Sequence, residues 1–311
     1  MEVQETIERK KASDFPPELW EIFDEYVHGD IKRREFIERA SKFAVGGVTG
    51  TMLWEMMRPH YIWAQQVPKN DSRIKAEYTM YPSPNGNSTN GQMRGLLARP
   101  ANGTKFPAIV VVHENRGLNP YVEDVARRLA AGGFIALAPD ALWPLGGYPA
   151  SDKYGAEGDE KAVEMQRQLN QPKITEDFVA AAQFLLKHPM STGKLGSVGF
   201  CFGGGMVNNL AVRVPELAAG VPFYGAAPMA SDVPKIKAAM LFNFADMDDR
   251  INGMWPGYET ALKAAGVKYQ MFKYPGTQHG FHNDTTPRYD EAAAKLAWQR
   301  TMEHFNKTLK T

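Results

Sequence analysis

The sequence predicts one α/β domain on a mostly parallel sheet of about eight strands, with helices on both faces and a helical amino-terminal appendage. Three observations carry this. Short apolar or alternating runs recur from residue 74 onward, and helix-period segments separate most of them. Two of the runs, V-V-V-H (110–113) and F-I-A-L-A (134–138), are apolar almost without a break. Unbroken apolar runs suit strands buried on both faces, and strands alternating with helices suit a parallel sheet.

The strand runs lie at 76–81, 92–98, 107–113, 134–138, 195–200, 219–223, 238–244 and 268–274. The first two are joined by P-S-P-N-G-N-S-T-N-G (82–91), a turn-rich loop that suits an antiparallel start. Helix-period segments fall at about 120–132, 156–170, 174–187, 203–214, 256–266 and 287–309. There is no internal repeat, so residues 74–311 read as one domain and 1–73 as an arm.

The arm has its own character. Polar, helix-compatible residues 1–31 precede K-R-R-E-F-I (32–37) and the mild apolar stretch F-A-V-G-G-V-T-G-T-M-L (43–53). A twin arginine, a short apolar segment and the small residue Ala64 resemble a twin-arginine export signal. A working signal would make the protein periplasmic or secreted, and otherwise it is expected in the cytoplasm. The other reading is a retained amphipathic arm.

Composition narrows the function classes. With 36 basic against 35 acidic residues there is no basic field for nucleic acid. No run of about 18 apolar residues reads as a stable membrane span. A single cysteine, Cys201, excludes an internal disulfide and any multi-cysteine metal site.

That cysteine stands in G-S-V-G-F-C-F-G-G-G (196–205), at the end of an apolar run and the start of a helical segment. G-F-C-F-G has the form G-x-nucleophile-x-G, and strand–turn–helix is the context a nucleophile elbow requires. The turn needs small residues on either side, and it sets the thiol at a helix N-terminus, where the macrodipole favours a thiolate. The competing readings are a phosphate-binding glycine loop, which lacks the G-K-[ST] ending, and a cysteine that only packs.

Later loops supply partners. In α/β-hydrolases an acid and then a histidine follow the nucleophile, each on a loop after a late strand. Here A-D-M-D-D-R follows A-M-L-F-N-F (239–244), and P-G-T-Q-H-G-F follows K-Y-Q-M-F-K-Y (268–274). His279 is the candidate base. Asp246, Asp248 and Asp249 share the acid loop.

H-E-N-R-G-L (113–118), the G-x-C-x-G-G elbow and the H-G-F loop together resemble the dienelactone hydrolase family, over about residues 76–309. The resemblance implies an α/β-hydrolase fold with a cysteine nucleophile and a Cys201–His279–Asp triad. It selects Asp248, because A-x-x-D (245–248) fits the family's G-x-x-D form. It implies a role for Glu114 beside the thiol, as an alternative acceptor of the thiol proton once substrate arrives, with the thiol protonated until then. The sequence departs from the family's pattern at Asn283, which stands where a substrate-binding arginine is usual. Arg116 and Arg288 are the candidates to take over that task.

The implied activity is hydrolysis of a small-molecule ester or lactone, without a cofactor. The backbone N–H groups of Phe202 and Asn115 would stabilise the oxyanion. Trp143, Tyr148, Phe223, Tyr224 and Phe281 are candidates for an apolar pocket. Three alternatives compete: a metal hydrolase on His279, His282 and Asp284, a redox sensor, and a binding protein on this fold.

Overall fold

The computed structural model describes residues 9–149 and 158–311. The first two residues of the helix expected at 156–170 lie outside the described residues.

The arm folds into three helices, α1 (Pro17–His28), α2 (Arg33–Ala40) and α3 (Gly50–Met57). Pro17 starts α1 at a position where its missing N–H costs nothing, and Gly29, with φ 76°, stops it. Leu19, Trp20 and Phe23 fall on one side of α1 and bury against Phe36, Leu53, Trp54 and Met57, giving the arm a small core of its own. The stretch 43–53 is not one helix. Gly46 and Gly47 adopt φ 63° and 86°, and α3 begins only after Thr49 caps the N–H of Met52. Arg33 of the twin arginine lies over the Trp54 ring at 4.0 Å. Among the described residues no helix is long and apolar enough to cross a membrane.

Eight strands follow: β1 (Ile74–Pro82), β2 (Gln92–Pro100), β3 (Phe106–Val112), β4 (Ile135–Pro139), β5 (Ser191–Phe200), β6 (Leu217–Phe223), β7 (Ala239–Met247) and β8 (Tyr269–Gln278). They form one sheet in the order β1-β2-β4-β3-β5-β6-β7-β8. β2 is antiparallel to both β1 and β4, and every other neighbouring pair is parallel. The expected antiparallel start is therefore present. All seven residues of β3 are buried, which is why its sequence does not alternate.

Helices α4 (Pro120–Ala131) and α10 (Glu291–Leu309) cover one face. Helices α5 (Gly158–Gln168), α6 (Gln171–Lys187), α7 (Phe202–Arg213) and α9 (Trp255–Ala264) cover the other. A short helix, α8 (Asp249–Asn252), precedes α9. The last helix begins later than its sequence period suggests, because residues 282–286 and 288 are drawn inward as a buried loop. Asp284 in that loop meets Arg128 at 2.6 Å, and Asp290 then caps α10.

Candidate active site

One residue, Cys201, makes the turn from β5 into α7. It holds φ 56° and ψ −114°, and besides it only Tyr224 has positive φ among the described non-glycine residues. A side chain forced into this region costs about 1–3 kcal/mol, so the surroundings must impose it. They do so by close packing. A Cβ on Gly199 would lie 2.2 Å from the carbonyl oxygen of Gly203, and one on Gly203 would lie 2.3 Å from that of Val112. The two glycines of G-x-C-x-G are thus demanded by contact between backbones. Cys201 is half-buried at the start of α7, where the N–H of Phe202 has no intrahelical partner.

Asp248 and His279 come together at the ends of β7 and β8. The Nδ1–H of His279 donates to Asp248 Oδ2 at 2.6 Å, while Asp248 Oδ1 accepts from the N–H of Ile251 at 3.3 Å and caps α8. Asp246 is turned away, pairing with Lys273 at 3.0 Å and accepting from the N–H of Gly276. Asp249 opens α8. A ring nitrogen of His279, the Cys201 sulfur and a ring nitrogen of His28 all lie within 4.8 Å of one another. Because Nδ1 of each histidine is already engaged, the atoms facing the sulfur are the two Nε2, both buried and otherwise unpartnered.

Electrostatics follow from this packing. Burial opposes charge on His279, but the Cys201 sulfur and then Asp248 outweigh it and push the ring up to about 10. Burial likewise opposes a Cys201 thiolate, yet the two facing histidines bring the thiol well below its ordinary value. Burial pushes Asp248 up, and its bond to His279 more than reverses that. Both directions favour a thiolate–imidazolium pair over a neutral one, and two imidazoles face the sulfur where one was expected.

Glu114 is buried beside this group. Burial raises its carboxyl, with the Cys201 charge adding to the effect and Arg116 opposing it. Asn283 donates to Glu114 Oε2 at 2.9 Å, so the residue that replaces the usual arginine holds this carboxylate. Tyr224 lies against His279 with ring centres 4.8 Å apart, and its buried hydroxyl meets no hydrogen-bond geometry among the described residues. No backbone bond occupies the N–H of Asn115 among the described residues, while its side chain donates to the carbonyl of Val27 at 2.8 Å.

Several candidates go elsewhere. Arg288 pairs with Asp24 at 2.5 Å and lies over the rings of Trp20 and Phe23, so the arm has taken this arginine. Arg116 is buried near Asp159, Tyr61 and Glu114, and the acids Asp159 and Glu114 favour its cationic form against burial. Trp143 lies under the Arg94 guanidinium at 4.3 Å, and Tyr148 donates to Asp159. Phe223 and Phe281 are fully buried core residues. Of the five aromatics, Tyr224 sets its ring against His279; Phe223 meets Cys201 through its backbone carbonyl, which accepts from the Cys201 N–H at 3.2 Å, while its ring and that of Phe281 lie in the core. His282 is bonded to Tyr121 at 2.7 Å and packed on Phe200, and Asp284 is spent on Arg128 and Gln66. The metal set of His279, His282 and Asp284 is therefore not assembled. Soft ions would instead compete with protons for His28, Cys201 and His279.

The sequence reading missed His28. It ends α1 just before the Gly29 stop, a position that reads as an ordinary helix end. The arm also walls a cleft of about 660 Å³ that reaches His279 and Asp248, with Trp20, Glu21, Asp24, His28, Asp249 and Arg250 among its lining.

Comparison with known proteins decides the family. A model of the dienelactone hydrolase family matches residues 93–309, more than two thirds of the chain. The chain belongs to the dienelactone hydrolase family. A putative carboxymethylenebutenolidase from Synechocystis is 31% identical over 250 residues, covering 76% of this chain and 99% of that protein. A probable 2-oxo-3-(5-oxofuran-2-ylidene)propanoate lactonase from Bradyrhizobium is 33% identical over 229 residues, covering 69% and 89%. Among solved structures, a putative dienelactone hydrolase from Klebsiella pneumoniae superposes with a TM-score of 0.63 at 25% identity, covering 75% of this chain and 99% of that one. This family member is a hydrolase on the α/β-hydrolase fold. Its arm lies outside the family match, and residues 7–45 match a separate model described as YqhI-like.

Proposed function

We propose that this dienelactone hydrolase family member cleaves carboxylic esters or lactones, with Cys201 as nucleophile, His279 as base and Asp248 orienting the ring. The observation that carries the reading is the contact series Asp248 Oδ2, His279 Nδ1 at 2.6 Å, and an otherwise unpartnered His279 Nε2 facing the sulfur. A carboxylate on Nδ1 fixes the tautomer that leaves Nε2 free to take the thiol proton.

The thiolate attacks the acyl carbon, and the oxyanion that forms accepts from the N–H groups of Phe202 and Asn115. Losing one such donor costs roughly 3–4 kcal/mol in comparable sites. The carbon–oxygen bond to the leaving group breaks, and that oxygen takes a proton from imidazolium. Water then attacks the thioester, giving its proton to the imidazole as the carbon–sulfur bond breaks.

The substrate body is neutral on this reading. Arg288 is paired with Asp24, Arg116 lies near Asp159 and Glu114, and in the cleft the acids Glu21, Asp24, Glu25, Asp246 and Asp249 outnumber the cations Arg250 and Arg288. That lining disfavours an anchored carboxylate. The test is a screen of neutral aryl esters, alkyl esters and lactones against their carboxylate-bearing counterparts, with Cys201→Ala in parallel. Loss of turnover in Cys201→Ala, with a single cooperative melting transition retained, supports the reading. Full retained activity overturns it.

A further inference from the structure

We propose that the amino-terminal arm is part of the active site and that His28 is a second proton-handling residue at the Cys201 sulfur. The inference rests on Cys201 being the nucleophile.

The end of α1 is tethered over the thiol by groups from several elements. The last carbonyls of a helix have no intrahelical partner, so they look for outside donors. Here Asn115, beside Glu114, donates to the Val27 carbonyl at 2.8 Å. Arg167 on α5 donates to the carbonyls of His28 and Gly29 at 2.5 and 2.6 Å. One turn earlier, Asp24 pairs with Arg288 from the loop that carries His279. The α1 backbone is thus pinned on both sides of the site.

This pinning orients the ring. His28 Nδ1–H donates to the carbonyl of Asp24 at 2.8 Å, which leaves Nε2 as the acceptor face. That Nε2 is buried with no hydrogen-bond partner among the described residues, and a ring nitrogen of His28 lies within 4.8 Å of both the sulfur and a His279 nitrogen. A surface histidine at a helix end would be solvated. This one is aimed at the only thiol in the chain.

The two rings differ in what backs them: a carboxylate behind His279 and a neutral carbonyl behind His28. A charge-assisted bond holds a cation more firmly than a neutral one does. His279 therefore keeps the charge that stabilises the thiolate. His28, carrying a proton drawn from water, gives it to the leaving oxygen as the carbon–oxygen bond breaks, and takes one back from the water that attacks the thioester. The proton given to the alcohol is replaced by the one taken from that water, so the cycle closes with water alone. The other titratable or charged groups around the pair are Asp24 and Arg288 across the arm contact, Glu114 and Arg116 after β3, Tyr224 after β6, and Asp248 behind His279.

The test uses the full chain and His28→Gln in chelated buffer. Cys201 is the only cysteine, so ultraviolet titration of the thiolate reads it without interference. Two results are expected: a thiolate midpoint moved to higher pH, and a loss that grows with leaving-group basicity. Alkyl esters, which need a proton on the departing oxygen, should slow by about 10²-fold or more, and p-nitrophenyl acetate by much less. A merely structural role would lower both ester classes alike. Arg167→Ala, which removes one tether and leaves the ring, should move both readouts in the same direction by less. An unmoved thiolate midpoint together with an unchanged alkyl-to-aryl ratio in both variants overturns the role of His28. If Cys201→Ala is inactive in the same series, that result leaves the nucleophile in place.

Discussion

Replacing Asp248 by asparagine tests the proposed triad at the contact that orients its histidine. Asp248 uses both oxygens: Oδ1 caps α8 through the N–H of Ile251, and Oδ2 accepts from His279 Nδ1 at 2.6 Å. Asparagine is also a good N-cap, so its oxygen keeps the first role and the fold should hold. Its amide nitrogen then faces His279 Nδ1, where a carboxylate oxygen was. Two donors cannot bond, so the ring must shift its proton to Nε2, the atom that faces the sulfur. Losing the charged bond alone costs about 1.5–3 kcal/mol, or roughly 10- to 150-fold in kcat/KM. The wrong tautomer adds to this, since Nε2 can no longer accept the thiol proton, and a total loss above about 10²-fold is expected. The assay is kcat/KM on a neutral aryl ester across pH, with thiolate absorbance at neutral pH read on the same samples. Asp246→Asn, which breaks only the exposed contact with Lys273, should stay near wild type. Asp248→Asn within about threefold of wild type, with thiolate absorbance intact, would refute the reasoning.

Three further outcomes follow from the same geometry. Glu114→Gln removes a carboxylate whose charge opposes the thiolate, so iodoacetamide should alkylate Cys201 at neutral pH at least as fast as in wild type; slower alkylation would show that Glu114 activates the thiol. The coupled pair should give a stability plateau. His279 is raised to about 10, so its contribution is whole below ~6.5 and fades toward pH 10, while Cys201 is depressed, so its share is whole above ~8.5 and fades as pH falls. The two slopes cancel between ~6.5 and ~8.5, so the Tm difference between wild type and Cys201→Ala should be flat there and shrink on either side; a difference that climbs steadily through that window would contradict the pair. Gly203→Ala should lower Tm, because its Cβ would sit 2.3 Å from the Val112 carbonyl oxygen; a strain of about 1–3 kcal/mol at roughly 2–4 °C per kcal/mol is readable by calorimetry, and an unchanged Tm would count against a contact-imposed elbow.

The sequence alone determined the sheet and its covering helices, because burial on both faces leaves a local mark. β3 is seven buried residues in a row, and V-V-V-H shows it. The elbow was equally legible, since the close approaches at Gly199 and Gly203 admit no side chain and so dictate their own pattern. Order along the chain placed Asp248 and His279 on neighbouring loops, and their contact is the one A-x-x-D pointed to. The tertiary structure decided what reaches those loops from far away. His28 lies 173 positions before Cys201 in the sequence, and nothing near it records a thiol. Arg288 looked free to bind a carboxylate until Asp24, Trp20 and Phe23 were seen to cover it. The aromatics proposed for a pocket failed for a related reason: composition shows that a ring is apolar, while only packing shows whether it faces the core or the cleft. Periodicity reports the face an element buries against its own sheet. It carries no record of which distant segment closes over the open end, and here that segment, the arm, determines which groups meet the thiol.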